Sequence, residues 1–168
     1  MNWPYVHTLV NHFPIILTVV GSAVLVLALI TNRRGVWLYS LATLTLAGLS
    51  VYPAFLTGDQ AAHALRGTWY VVRSMVREHD DAAGYALVCV LAMGAASAYA
   101  WWRMLRTESA GLPPAWLRAV VTVLAALGLS VITRASYLGG KIVHESPKLQ
   151  VAPSGSAVTP SAQVNTPP

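Results

Sequence analysis

Five histidines are the residues of this 168-residue chain best equipped for chemistry: His7, His12, His63, His79 and His144. Imidazole titrates near neutrality and is the commonest metal ligand, so where these rings lie decides whether a site can form. The opening run His7-Thr-Leu-Val-Asn-His12-Phe-Pro14 is the sharpest local feature. Proline is accepted near the first turn of a helix but not deep inside one. A first helix is therefore expected to start near Asn11 or His12, with His7 on a preceding segment folded back over it. If the stretch were continuous helix, the five-residue offset would part the two imidazoles by about 140°, and they would not share one metal. His79 ends Arg77-Glu78-His79 and precedes Asp80-Asp81. Those carboxylates suit a helix N-terminus as caps, and carboxylates also fix imidazole tautomers from behind. His63 and His144 read as solvent-facing.

The elements that must position these rings are membrane helices. The chain is 55% apolar and only 10% charged, with a mean hydropathy of +0.55, whereas soluble domains carry about 25% charged residues. Crossing a hydrocarbon core of about 30 Å takes about 20 apolar residues in a helix, which also satisfies every backbone group internally. Four segments qualify: 13–31, 36–56, 82–102 and 115–138. No Lys or Arg precedes the first of them, so it is expected to stay as a span rather than be cleaved as a signal peptide. Pro53 is a candidate kink in the second span. Ala92, Ala96 and Ala100 offer the third a flat face for close helix contact. The fold class expected is all-α: a polytopic four-helix transmembrane bundle over 1–146, followed by a disordered Pro/Ser/Thr-rich tail at 147–168.

Four crossings return the chain to its starting side, which gathers all five histidines at one membrane face. The two short turns carry Arg33 and Arg34, and Arg103 and Arg106 with Arg118 nearby. Basic residues in short loops stay in the cytoplasm, which places both termini and the histidines in the periplasm of a bacterial inner membrane. Trp37, Tyr39, Trp101, Trp102 and Trp116 form one interfacial belt, and Trp3, Tyr5, Tyr52, Trp69, Tyr70 and Tyr137 the other. The net charge of +5 thus describes topology and a lipid-bilayer partner, not a nucleic-acid footprint. Cys89 is the one cysteine, which excludes a disulfide framework and a Cys-rich metal site. No phosphate loop, nucleophile elbow or Cys-x-x-Cys-His haem attachment motif occurs. The spans also lack the interior charges of a midplane transport site.

His7-Thr-Leu-Val-Asn-His12-Phe-Pro14 resembles the His-Pro-Leu-Leu-Val-His-Phe-Pro opening of the bacterial membrane family catalogued as domain of unknown function 2231. Thr57-Gly58, His79 entering span three, and the Leu138-Gly139-Gly140-Lys-Ile-Val close are similar to that family's pattern over residues 1 to 146. The resemblance implies a four-helix membrane bundle with histidines at its outer face, and carries over His7, His12 and His79 as the family histidines. It also implies an association with Rieske-type iron–sulfur modules and respiratory redox chemistry. Thr8 stands where the family has proline, and His144-Glu145-Ser146 where it has Tyr-x-His.

Three functions follow. The first is a haem b protein, or a haem-binding subunit of a respiratory complex, transferring electrons near the periplasmic face. Helix bundles house cofactors between facing helices and haem iron accepts axial histidine. In that reading His79 pairs with His12 or His7, and Arg134, near the outer end of span four, pairs with a haem propionate or with Asp59. The partner is a membrane redox complex or a periplasmic electron carrier. The second is a copper or zinc site of His7, His12 and His79. The third is an accessory subunit without cofactor. An electron-transfer or accessory role fits the chain better than that of a stand-alone enzyme.

Overall fold

The computed structural model describes residues 2–67, 71–106 and 111–145. The tail at 147–168, Trp69 and Tyr70 lie outside the described residues. Four helices make up the rest: α1 (Trp3–Thr31), α2 (Arg34–Ala64), α3 (Arg73–Arg106) and α4 (Ala115–Glu145), with no strand among the described residues. Neighbours in sequence pack side by side and α1 also meets α4, giving an up-and-down bundle. Each helix is long and apolar enough to cross a membrane.

At a rise of 1.5 Å per residue, helices of about 30 residues reach about 45 Å, well beyond a hydrocarbon core of about 30 Å. The extra turns relative to the expected spans lie mainly at the end of the bundle that holds the histidines. There α1 begins at Trp3, α2 runs on to Ala64, α3 begins at Arg73 and α4 ends at Glu145.

Two expectations are corrected by these longer helices. Pro14 does not open α1; it lies buried inside it. The start signal is Asn2, whose side-chain oxygen accepts the Tyr5 N–H at 3.3 Å, with Pro4 in the first turn. That turn tolerates proline because its N–H groups have no helical acceptor. Pro14 instead leaves the Val10 carbonyl without its usual donor. Asp80 and Asp81 do not cap α3, because the helix starts at Arg73 and they sit two turns in. Pro53 is likewise inside a continuous α2, on its exposed side.

For helices this apolar, lipid would remove most of the hydrophobic drive between them, leaving close packing and small residues to hold the bundle together. Between α2 and α3 backbone meets backbone closely: a Cβ added to Gly48 would lie 2.7 Å from the Gly94 Cα. That glycine pair, not the expected alanine face, sets the approach; Ala100 is buried but Ala92 is exposed. Between α1 and α2, the buried Ser40 hydroxyl donates to the Gly21 carbonyl at 2.9 Å. At the arginine end, Arg34 donates to the Gly111 carbonyl at 3.1 Å and also to the Met104 carbonyl.

The two hairpins, α1–α2 and α3–α4, repeat one another in register. Every buried residue of α1 has a buried counterpart 72 positions later: Pro14 and Ala86, Thr18 and Val90, Gly21 and Met93, Leu25 and Ser97, Ala28 and Ala100. Between α2 and α4 the offset is 81: Ser40 and Val121, Leu44 and Ala125, Ala47 and Gly128, Val51 and Ile132, Ala54 and Ala135. The side-chain types differ, but the inward faces coincide. The two hairpins thus present the same inward register, the pattern that a pseudo-twofold axis along the helices would produce.

Candidate functional site: a histidine pair on the pseudo-twofold axis

His7 and His79 occupy equivalent positions of α1 and α3, 72 residues apart. Their rings meet across the bundle with centroids 6.3 Å apart and planes at 68°. Each is fixed by the helix that follows it in its own hairpin. The Nδ1–H of His7 donates to the Ala54 carbonyl at 3.1 Å, with the Thr57 hydroxyl 3.3 Å away. The Nδ1–H of His79 donates to the Ala135 carbonyl at 3.0 Å. A carbonyl can only accept, so each bond places a hydrogen on Nδ1 and leaves Nε2 of the neutral ring with its lone pair. Among the described residues no protein group bonds Nε2 of either ring.

One turn beyond each accepting carbonyl stands a glycine. A Cβ on Gly58 would lie 3.0 Å from Cε1 of His7, and one on Gly139 would lie 3.2 Å from Cε1 of His79. The two imidazoles therefore rest in matching cradles that only a missing side chain leaves open. The motif reads Ala-x-x-x-Gly-x-x-x-x-His in both hairpins: Ala54, Gly58 and His63 in α2, and Ala135, Gly139 and His144 in α4. That repeat was the available signal for pairing His7 with His79. The hydropathy pattern alone does not reveal it.

The pair opens on a cavity of about 480 Å³ at this end of the bundle, walled largely by apolar and small residues of all four helices. This is within the usual range for a small-molecule or cofactor site, about 300–1,000 Å³. Its wall includes Asn11, His12, Asp80, Ser136 and His144. Asn11 Oδ1 is shut away from solvent without a hydrogen-bond partner.

The remaining expected site residues lie apart from the pair. His12 is on the same continuous helix as His7, about 140° further round it, and lines the cavity without meeting the pair; it is exposed and its Nδ1–H bonds the Thr8 carbonyl of its own helix. The structure thus pairs His79 with His7, not with His12. No group of three or more His, Cys, Asp or Glu side chains among the described residues can hold a metal ion. Arg134 does not line the cavity. It precedes Ala135 by one residue, a rotation of about 100° around the helix, and lies beside a second crevice with Glu78, Asp81 and Tyr85. Asp59 meets His63 at 3.4 Å rather than Arg134. His63 and His144 are both exposed in the last turns of their helices.

Nε2 is the atom through which either imidazole could hold a metal or haem iron. Backbone carbonyls behind Nδ1 are also the usual means of orienting a ligating imidazole and raising its basicity. No protein-family model, curated protein or solved structure matches this chain.

Proposed function

We propose that this chain is a haem b-binding membrane protein, an electron-transfer subunit, in which His7 and His79 would hold the haem. One observation carries the reading: two imidazoles from different helices, each fixed through Nδ1 to a carbonyl, lie 6.3 Å apart and line one largely apolar cavity. If bound there, haem b would supply reversible one-electron chemistry. The protein's part is orientation and exclusion of water. The Ala54 and Ala135 carbonyls hold the rings, Gly58 and Gly139 give them room, and the apolar walls lower the local polarity that sets a potential. By the arginine-rich short turns, the site belongs to the periplasmic side of a bacterial inner membrane, with both termini on that side. The electron partner is then a membrane redox complex or a carrier in the periplasm, consistent with the family resemblance at His7 to Pro14.

The test is an optical spectrum of the purified full-length protein, expressed with ample haem and recorded oxidised and reduced. A Soret band with the sharp reduced bands of bis-histidine iron is expected, and replacing either His7 or His79 by alanine should remove the low-spin signature. Stoichiometric copper or zinc without porphyrin would instead favour a metal site on the same two rings. Neither porphyrin nor metal would leave the accessory-subunit reading.

A further inference from the structure

The outward flanks of the two hairpins match in register but not in chemistry. On the α3–α4 flank, Glu78, Asp81, Tyr85 and Arg134 surround a crevice of about 350 Å³, which the buried Ala82 also lines. The offsets of 72 and 81 place Val6, Leu9, Phe13 and Pro53 at the same positions of the α1–α2 flank. One flank at this depth is thus wholly uncharged, so the charges on the other are not a demand of the fold. An arginine within a span is costly without a counter-charge. Yet Arg134 forms no salt bridge or hydrogen bond with either acid.

Register and helix direction keep these charges apart. His79 of α3 reaches the Ala135 carbonyl and rests against Gly139 of α4. Arg134 is therefore level with Asp81 and Ala82, and Glu78 stands about one turn, ~5 Å, nearer the histidine end. Every Cα–Cβ bond of a helix tilts toward its N-terminus. Because α3 begins at the histidine end and α4 finishes there, the carboxylates lean toward that end and the guanidinium leans away from it. The crevice thus presents negative charge at its mouth and positive charge at its deep end. Past the deep end the flank turns apolar. Val88 continues the helical row of Asp81, and Leu127 and Val123 that of Arg134; all three are exposed.

A phospholipid that carries a primary amine has the same order of parts: acyl chains, then phosphate, then ammonium outermost. We infer that this crevice binds the headgroup of such an aminophospholipid, with its phosphate on Arg134 and its ammonium on Glu78 and Asp81. The chains lie along Val88, Leu127 and Val123. Arginine is the side chain best matched to phosphate, and a primary ammonium offers three donors to carboxylates. A trimethylammonium headgroup offers none. A glycerol headgroup brings no cation to the two acids. Tyr85 adds an amphipathic ring of the kind found where chains meet headgroups. The site is remote from the histidine pair and does not rest on the haem reading.

Native mass spectrometry of the full-length protein in detergent tests the assignment. The protein is titrated with phosphatidylethanolamine, phosphatidylcholine and phosphatidylglycerol of equal chain length. The wild type should hold phosphatidylethanolamine about tenfold more tightly than either of the others, the scale of a hydrogen bond to a charged group. Glu78→Gln with Asp81→Asn should abolish that preference. Phosphatidylglycerol should bind this double variant at least as well as the wild type, which shows that the fold is intact. Arg134→Gln should weaken all three lipids about tenfold, and Arg134→Lys should recover part of the loss. Glycerophosphoethanolamine, the same headgroup without chains, should not compete at equal concentration. No preference in the wild type, a preference that survives the double variant, or binding indifferent to Arg134→Gln overturns the inference. Competition by the chain-free headgroup also overturns it, in favour of a soluble zwitterion.

Discussion

The imidazole of His7 is held on one edge by the Ala54 carbonyl and rests with Cε1 against Gly58; His79 repeats the arrangement with Ala135 and Gly139. Nε2 of each ring keeps its lone pair because Nδ1 carries the hydrogen given to the carbonyl, and the glycines give the rings room to stand there. Gly58→Ala puts a methyl 3.0 Å from the ring and Gly139→Ala one at 3.2 Å. Overpacking of this kind costs about 1–3 kcal/mol. Both variants should lower haem affinity, Gly58→Ala more than Gly139→Ala, as read by Soret titration. Gly84→Ala meets nothing within 4 Å and should raise thermal stability in detergent by about 0.5–1 kcal/mol, the usual gain from replacing glycine within a helix. If all three behaved alike, the cradles would have no special role. Of these residues the histidines are legible as candidates from the sequence, because imidazole chemistry is rare among apolar spans. The glycines are not, since a glycine in a membrane helix is ordinary until its neighbour is known.

At the scale of the element, each helix is an apolar span lengthened by two or more turns at the histidine end, and those turns build the cavity walls. The spans are readable from hydropathy alone. The extensions are not, because 3–12, 57–64 and 73–81 mix polar and apolar residues and owe their helicity to packing against one another. Pro14 shows the limit most clearly. Local propensity places a helix start beside it, yet tertiary packing keeps it inside α1 and the start falls at Asn2. Helix contact makes its own prediction. In Gly48→Ala the new Cβ would lie 2.7 Å from backbone of α3, an obstacle no rotamer change relieves. That variant should lose about 1–3 kcal/mol in detergent unfolding, whereas Gly35→Ala, which meets nothing, should not. α1 and α4 pack more loosely than α2 and α3, and at the positions matching Gly48 and Gly94 this open seam has Leu129 and Ser22; the double variant Ser22→Gly with Leu129→Gly gives it the same glycine pair. Spin labels at the histidine ends of α1 and α4 should then report a shorter distance than in the wild type; an unchanged distance would mean that these two residues do not hold the seam apart.

The whole molecule is two equivalent hairpins with the site between them, so both must enter the membrane in the same sense. In a Cys89→Ser background, cysteines placed at His63 and His144 should react with an impermeant reagent added to one side of sealed vesicles, and a cysteine at Gly35 only from the other. Labelling of 63 and 144 from opposite sides would separate the hairpins and with them the pair. That the chain has four helices long and apolar enough to cross a bilayer was legible in composition and run length, which act locally and need no knowledge of contacts. Which two of five imidazoles meet, which carbonyls hold them, and which seam stays open depend on the register of helices far apart in sequence. Register is set by small residues fitting into neighbouring backbones, and only the folded chain fixes those fits.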